Sequence, residues 1–382
     1  MTRLRLLTAC SLAFALLTAV VAQDKKDPVP PGKKDEVKKE APPADPKLAP
    51  KVDPKVTPPV DPKLPPKADP KVTPPVDPKA APVAENPLGW KFVKDQAFWQ
   101  EMTTRTTQNI KVQGLDVGQN QEQTFFFKFE PVNQVGDKWI VKQTIEGVKM
   151  KIDIAGSPVS YDSTNEAAAG GSNTALSEFF KALKGSQFTL TIGKDMTVEK
   201  VDGRDEFVKK LVAANKQLEQ LLNRILGEEA LKQMADPSFG VVPKEAKKIG
   251  EKWSKTVKLN LGPLGSYDNT YNFTYVKQTG DNAEIDVAVE LKYTPPAADQ
   301  GGEALPFKIK AGKIEQTKDD KTNKGKVLFN TKLGRLESSN VSVKMTGALT
   351  LDIGGTTTEV TLTQDQTTEV KTFDKSPIVE KK

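Results

Sequence analysis

The chain has 382 residues, a net charge of +6 from 56 basic and 50 acidic side chains, no histidine and one cysteine. Basic and acidic residues alternate without a dense Lys/Arg block interleaved with aromatic residues, which argues against a nucleic-acid partner. Without histidine, and with Cys10 in a segment predicted to be removed, the mature chain excludes Ser-His-Asp and Cys-His nucleophiles, His/Cys zinc sites, haem and iron–sulfur ligation, and disulfides. No cofactor or metal is therefore expected.

The first 22 residues have the organisation of an export signal. Arg3 and Arg5 precede an apolar run over residues 6–22, and the small residues Val20 and Ala22 stand where a signal peptidase cleaves. The alternative is an uncleaved membrane anchor, because about 17 apolar residues is the lower limit for spanning a bilayer. The sequence predicts export to the periplasm, the cell envelope or the exterior.

Cys10 adds a further alternative at this terminus. It ends the tetrapeptide Leu-Thr-Ala-Cys, which resembles a bacterial lipobox, in which the cysteine becomes lipidated. Few residues precede Cys10 and the apolar run continues well past it, an arrangement unfavourable to lipidation. Membrane attachment is therefore expected only if the signal stays uncleaved or Cys10 is lipidated.

Residues 23–85 contain a proline-rich repeat with a period of eight. Proline fixes φ, disfavours helix in the preceding residue and donates no hydrogen bond, so this segment is predicted to be a disordered, extended linker. At about 3.1 Å per residue, five octads span on the order of 120 Å when extended. The linker is either a semi-rigid spacer or a segment without a role, and contact with the cell wall is a third alternative. The Asp-Pro-Lys units begin at Asp45, Asp53, Asp61, Asp69 and Asp77.

Period-two alternation of apolar and polar residues dominates from residue 86 onward. It is clearest over residues 148–154, 285–293 and 341–353, the last followed by Gly354-Gly355, a plausible hairpin turn. Several of these strands would exceed ten residues, against about five or six in an ordinary sheet. Long strands with one apolar face predict a strongly curved antiparallel sheet or a partial barrel.

Two parts of this region resemble each other. Residues 125–146 can be aligned with residues 269–290, and both segments read as strand, Gly-Asp turn, strand. Either the chain contains a duplication, or amphipathic hairpins simply look alike. The alignment pairs Phe127 with Tyr271, Phe129 with Phe273, Gly136-Asp137 with Gly280-Asp281, Val141 with Ile285 and Glu146 with Glu290. Further along, the segments that begin at Phe188 and Phe329 share the pattern Phe, four residues, Gly, and each half begins near a tryptophan, Trp99 and Trp253.

Apolar residues at spacings of three and four predict one long amphipathic helix over residues 205–235. Asp236-Pro237 ends it, and Gly227 could divide it. Packing of this helix on the sheet is favoured over a coiled coil, because the sheet's apolar face needs cover. A shorter helix, ALSEFFKALKG, ends at Gly185.

The predicted fold class is mainly β with a helical insert (α+β). A long curved antiparallel sheet or partial barrel is covered by an amphipathic helix and preceded by the disordered linker. The β-rich domain spans residues 86–372, with two related halves at 90–204 and 250–370 joined by helix 205–235. A disordered tail is predicted over residues 373–382.

Three segments carry a family resemblance: FTLTIGKDMTVEKVDGRDEF, LGEEALKQM and VPKEAKKIGEKWSKTV. Through them the chain is similar to an uncharacterised family of exported bacterial β-rich proteins, over most of residues 90–370. This family brings no established activity. The arrangement also resembles the bacterial lipoprotein-carrier half-barrels, which shelter acyl chains between a sheet and helices, but this likeness is architectural and transfers no binding residue.

Catalysis is not expected. Without histidine or a retained cysteine, the remaining options are paired carboxylates, a Ser-Lys dyad or an oxygen-ligand metal site. The sequence has no Gly-x-Ser-x-Gly, no phosphate-binding glycine loop and no calcium loop. Glu146 and Glu290 fall on outward-facing strand positions, as on a solvated charged face.

Two functions remain open for an exported, non-enzymatic envelope protein. One is binding of a lipid or other apolar ligand between the curved sheet and the helix; the other is a structural or interaction module of the envelope with no small ligand. Large apolar residues on facing elements also fill ordinary cores, so close packing would favour the second function. The candidate ligand-binding residues are Phe127, Phe129, Phe207, Leu211, Leu218, Leu222 and Phe273.

Overall fold

The part of the chain that can be described begins after the predicted linker. The computed structural model describes residues 86–165, 174–214, 216, 219–235, 239–297, 305, 307–318 and 322–378. The predicted signal peptide with Cys10 and the proline-rich linker lie outside these residues. All described residues belong to one compact unit.

In the described part of the chain, thirteen antiparallel strands form one open, curved sheet, which confirms the predicted fold class. The longest strands, β2, β12 and β13, have 21, 19 and 18 residues. Buried and exposed side chains alternate along them, as the period of a pleated strand requires. The strands are β1 Phe98–Val112, β2 Leu115–Val135, β3 Lys138–Ile154, β4 Ser157–Asp162, β5 Gln187–Ile192, β6 Val198–Asp202, β7 Lys252–Asn260, β8 Ser266–Thr279, β9 Asn282–Thr294, β10 Lys308–Gln316, β11 Lys324–Asn330, β12 Arg335–Ile353 and β13 Thr356–Phe373.

The first and last strands meet in the middle of the sheet. The order is β6-β5-β3-β2-β1-β13-β12-β11-β9-β8-β7, with β4 beside β3 and β10 beside β12. β1 pairs with β13 from Trp99 opposite Phe373 to Val112 opposite Val360. This pairing leaves β6 and β7 at the two edges of the main path of the sheet.

The described residues of the predicted 205–235 helix form three short helices, so the prediction of one continuous helix is wrong. They are α2 Arg204–Ala214, α3 Glu219–Ile225 and α4 Glu228–Ala235, and the predicted break at Gly227 separates α3 from α4. The shorter predicted helix is present as α1 Thr174–Leu183, followed by Gly185 at φ 77°. α4 contacts both edge strands, β6 and β7, so this helix bridges the open side of the sheet.

The β2–β3 and β8–β9 hairpins share their turn chemistry. Gly136 and Gly280 occupy the tips at φ 61° and 56°, where glycine avoids the strain of a side chain. In each hairpin a glutamine side-chain amide donates to the tip glycine carbonyl, from Gln134 at 3.3 Å and from Gln278 at 2.8 Å. The aligned Gly-Asp turns of the sequence therefore have the same local structure.

Each hairpin also contains a β-bulge at the aligned position. The register shifts between Pro131 and Asn133 in one hairpin and between Tyr275 and Lys277 in the other. An extra residue at a bulge is left out of the ladder and bends the strand. These shared features are those expected of a repeated unit, and duplication itself stays a prediction.

One aligned pair is wrong in register, and the two tryptophans near the start of each half do not occupy equivalent positions. Ile192, not Phe188, corresponds to Phe329. The sequence alignment places Trp139 at the position of Ala283, and Ile192 pairs with Trp139 just as Phe329 pairs with Ala283. Likewise Phe98 corresponds to Trp253: Phe98 stacks on Phe129 at 4.9 Å, and Trp253 stacks on Phe273 at 5.3 Å. Trp99 lies on the opposite face, where its indole donates to Glu146 at 2.9 Å. A one-residue slip exchanges the faces of a strand, and sequence landmarks alone do not detect it.

The C-terminal tail is ordered further than predicted. Asp374 accepts an ion pair from Arg335 at 2.7 Å, and the Ser376 hydroxyl donates to Glu146 at 3.1 Å. The Ile378 side chain packs against Gly147, where a Cβ atom would lie 2.9 Å from it. Disorder beginning at residue 373 is therefore wrong as far as residue 378, and residues 379–382 lie outside the described part.

Buried tyrosines predict an alkaline loss of stability. Tyr267 and Tyr293 face each other across β8 and β9 with ring centroids 5.0 Å apart, and burial raises the pKa of both phenols. A raised folded pKa means that the stabilisation is complete below the unfolded value of about 10 and is lost as pH rises above it. In an absorbance titration of the five tyrosines, a delayed fraction should ionise only with unfolding, and Tyr293→Phe should shrink it. Ionisation of all five near pH 10, with the sheet intact, would contradict this prediction.

Candidate functional site

Neutral polar side chains occupy the centre of the inner face of the sheet. Gln108 on β1 lies opposite Gln119 on β2 and opposite Gln364 on β13, so register brings the three amides into one row. Thr106 lies in the next row, between Gln121 and Gln366. We call the following residues the glutamine patch; their side chains are between 1% and 6% exposed: Gln108, Gln119, Gln121, Gln123, Gln364 and Gln366.

Hydrogen bonds satisfy only part of the glutamine patch. The Gln119 amide donates to Gln121 at 3.1 Å, and the Gln364 amide donates to Gln366 at 2.9 Å. Both side-chain polar atoms of Gln108, together with the Oε1 atoms of Gln119 and Gln364, are buried without a partner among the described residues. Buried polar groups are nearly always paired, and an unpaired one costs about 1–3 kcal/mol. The patch therefore offers donors and acceptors to a molecule with neutral polar groups.

Charge is absent from this interior. Among the described residues, the buried polar side chains are glutamine, asparagine, serine and threonine, together with the phenols of buried tyrosines, and none of them is charged. A carboxylate or ammonium group placed here would have no counter-charge, and burying an unpaired ion is far more costly than burying an amide. The lining is suited to hydroxyl, carbonyl or amide groups and unsuited to ionised groups.

Aromatic side chains fill the end of the inner face next to the β2–β3 tip. Phe129 stacks on Phe98 at 4.9 Å, and the Phe239 ring meets Phe129 edge-on at 6.0 Å. The segment beginning at Phe239 is held from both halves, because the Trp90 indole donates to the Phe239 carbonyl and the Trp253 indole to the Val241 carbonyl, each at 3.1 Å. This end of the interior is close-packed.

The described candidate residues from the sequence are all buried in one core, and Leu218 and Cys10 lie outside the described residues. Phe127 and Phe129 lie together, 6.5 Å apart, and Phe207 on α2 packs against Phe188 at 4.9 Å. Phe273 instead contacts Trp253 in the second half of the sheet. Their role as ligand contacts stays a prediction. The exposed fractions are Phe127 5%, Phe129 1%, Phe207 6%, Leu211 1%, Leu222 4% and Phe273 2%.

The glutamine patch was not foreseen from the sequence, which predicts an apolar inner face. A signal was present in the period-two spacing of Gln119, Gln121 and Gln123, and again of Gln364 and Gln366. The amphipathic interpretation assigns polar residues of a strand to the solvent side, and here that assignment is wrong.

An open groove of about 930 Å³ lies across β7, β8, β9 and β11. Phe273 is the one predicted residue in its lining, and charged residues of both signs line it, including Lys252, Asp286 and Glu290. Within the described residues, no cluster of three or more Asp, Glu, His or Cys side chains could hold a metal ion. In the same part of the chain, no helix is long and apolar enough to cross a membrane.

This architecture defines a mainly β protein built on one open, curved antiparallel sheet. The chain belongs to the family described as "Family of unknown function (DUF6263)", whose model matches residues 136–334, just over half of the chain. The predicted membership of a family without established activity is thereby confirmed. No curated protein matches the sequence.

Solved structures with some likeness include lipovitellin and two Pseudomonas aeruginosa proteins, OccK5 and OpdK. Lipovitellin, from a structure titled as lipid–protein interactions, is 8% identical with a TM-score of 0.37; the match covers 76% of this chain and 27% of lipovitellin. Pseudomonas aeruginosa OccK5 is 8% identical over 73% of this chain and 99% of its own, with a TM-score of 0.19. The outer membrane protein OpdK from the same organism is 6% identical over 73% of this chain and 100% of its own, with a TM-score of 0.18.

Proposed function

We propose that the protein is a non-enzymatic, exported binding protein that holds an amphipathic lipid on the inner face of its sheet. The ligand's neutral polar group lies at the glutamine patch and its hydrocarbon lies along the neighbouring aromatic and aliphatic side chains. The observation that carries the proposal is Gln108, which is 2% exposed and has both amide atoms unpartnered.

The lining argues for a particular class of lipid. On the inner face of β2 the polar Gln121 and Gln123 continue directly into Phe125 and Phe127, so polar and apolar contacts are adjacent along one strand. A ligand that matches this order has an ester, amide or hydroxyl next to an acyl chain. An ionised fatty acid or a phosphate headgroup would meet no counter-charge at the patch.

Extraction of the purified full chain with organic solvent, followed by mass spectrometry, tests the proposal. We expect neutral acyl lipid at close to one molecule per protein, and a rise in the melting temperature when that lipid is added back. The matched comparison is the free fatty acid of the same chain length, which should bind less tightly. Lipid-free protein whose melting temperature none of these lipids changes would refute the proposal.

A second candidate is an interaction module of the envelope without a small ligand. The close-packed aromatic end favours it, since the Trp90 ring meets the Phe239 and Phe329 rings at 5.3 and 6.0 Å. Native-like packing leaves no space for a ligand at that end. The same extraction distinguishes the two functions, because this module would yield no stoichiometric lipid.

A further inference from the structure

Exposed apolar side chains gather at one end of the sheet. Of the seven large apolar side chains that are exposed among the described residues, six lie at this end, and the seventh, Leu115, lies at the opposite end in the β1–β2 hairpin. We call the six residues the apolar rim. They are Val93, Val132, Val135, Ile249, Val276 and Leu333, with exposed fractions of 55%, 43%, 59%, 59%, 37% and 42%.

The antiparallel pairing explains why residues so distant in sequence share one end. The β2–β3 tip, the β8–β9 tip and the β11–β12 turn all close at this end, and β1 and β7 both begin there. Apolar residues from these five places therefore lie along a single edge of the molecule.

Backbone hydrogen bonds tie the five places together. The turn before β1 is hydrogen-bonded to β2 and to the β11–β12 turn. The β11–β12 turn is in turn hydrogen-bonded to the β8–β9 tip, and the turn before β7 is hydrogen-bonded to β8. The rim is thus one supported surface rather than a set of independent loops. The bonds run from Asp95 N to Pro131 O at 2.9 Å, Lys91 N to Gly334 O at 2.8 Å, Thr331 N to Asp281 O at 2.8 Å and Gly250 N to Tyr275 O at 2.7 Å.

Two rim residues are exposed because of the β-bulges. Val132 and Val276 are the extra residues left out of the β2–β3 and β8–β9 ladders. Both hairpins thus present a valine at the aligned position, as a shared surface function would require.

Lysines surround the apolar rim. Exposed lysines outnumber exposed carboxylates in the five turns, and two of them, Lys138 and Lys277, form ion pairs with Glu199 and Glu284. Protein interfaces are depleted in lysine and enriched in aromatic residues, whereas aliphatic side chains ringed by lysine suit the boundary of an anionic bilayer. The lysines are Lys91, Lys94, Lys138, Lys248, Lys252, Lys277 and Lys332; the carboxylates are Asp95, Asp137, Glu251 and Asp281.

We propose that the apolar rim docks on an anionic lipid bilayer, with its aliphatic side chains at the boundary between headgroups and acyl chains and its lysines at the level of the phosphates. This surface lies outside the glutamine patch, so the proposal does not depend on a ligand in the interior.

Site-specific probes test this proposal on the full chain. Because Cys10 is the only cysteine, a Cys10→Ser background allows single labelling with a polarity-sensitive dye at Leu333→Cys or at Leu115→Cys. These two leucines are both 42% exposed and lie at opposite ends of the sheet, so they form a matched pair. With vesicles of phosphatidylcholine and phosphatidylglycerol, the dye emission should shift to the blue at residue 333 and stay unchanged at residue 115. The shift should weaken with salt and be absent with phosphatidylcholine alone.

Affinity provides a second readout. The combined Val135→Ser, Ile249→Ser and Leu333→Ser substitutions should weaken binding to the anionic vesicles by about tenfold or more, since three aliphatic side chains leave the interface. Leu115→Ser should leave the affinity unchanged, and circular dichroism should confirm that both variants are folded. Equal dye shifts at the two ends, equal binding to neutral vesicles, or no loss of affinity in the triple variant would each overturn the proposal. No shift at residue 333 with the anionic vesicles would overturn it as well.

Discussion

Replacing Gly325 with alanine is expected to lower the free energy of unfolding by about 3 kcal/mol or more, which makes it among the most damaging single-methyl changes in the sheet. A Cβ atom at Gly325 would collide with the Asn340 carbonyl oxygen and lie 2.7 Å from the Val341 Cα atom. Backbone atoms in a ladder cannot move aside as a side chain can. The added methyl group therefore has to push β11 away from β12.

The position of Gly325 explains why the strands come so close. β12 pairs with β11 up to Ser342 and with β10 from Met345 onward, so Gly325 stands where β12 passes from one partner to the other. The damage should consequently spread to both ladders. Urea unfolding, followed by circular dichroism and by tryptophan fluorescence, measures the loss.

Gly118→Ala is the matched control, because Gly118 also lies in a strand and a Cβ atom there meets no atom within 4 Å. Its stability should change by no more than about 0.5 kcal/mol. Similar midpoints for the two variants would mean that β11 and β12 are further apart in solution than the ladder requires.

The contrast between these glycines shows what the sequence could and could not predict. Alternation over residues 341–353 predicts a long strand, and the structure contains it within β12. The sequence around Gly325 resembles an ordinary polar turn, and only the pairing of β11 with both β9 and β12 shows that a side chain does not fit. Local periodicity determines the strands, whereas close approach depends on partners distant in sequence.

In the helical segment over residues 205–235, the sequence likewise predicts the type of structure but not where each helix ends. Spacings of three and four correctly predict helix, and Phe207 and Leu211 are buried as their positions require. The periodicity continues across the ends of α2, α3 and α4, so it does not reveal where one helix ends and the next begins. α4 contacts both β6 and β7, and the sequence does not show that one short helix lies beside both edge strands.

The sequence predicts a ligand site between the sheet and the helix, which stays a prediction, and it does not predict the polar chemistry of the glutamine patch. Alternation along the strands predicts an inner face covered by a helix, and Phe127 and Phe129 are buried as this alternation requires. β1 and β13 carry threonine or glutamine on both faces, so hydrophobic periodicity is too weak there to identify the buried side. Register assigns Gln108 to the interior, since it lies between Gln119 and Gln364.

Gln108→Leu is expected to stabilise the ligand-free protein by about 1–3 kcal/mol, although it removes a polar residue from the middle of the sheet. Both Gln108 amide atoms are buried without a partner, so a side chain of similar size without polar atoms avoids their desolvation. The same change should weaken binding of a neutral acyl lipid, because its polar group loses a donor and an acceptor. Thermal unfolding with and without the lipid measures both effects on one variant.

Thr104→Val is the control, and it is expected to change stability in the opposite direction to Gln108→Leu. Thr104 lies on the same strand, is also 2% exposed, and shares a 2.9 Å hydrogen bond with Thr368. Its replacement leaves the Thr368 hydroxyl buried and unpaired, so stability should fall by about 1 kcal/mol. If Gln108→Leu were destabilising as well, the Gln108 amide would be satisfied in the free protein and would not be reserved for a ligand. Changes in stability of opposite sign at two equally buried positions of β1 would therefore distinguish a polar group that stabilises the sheet through a hydrogen bond from one that is available to bind a ligand.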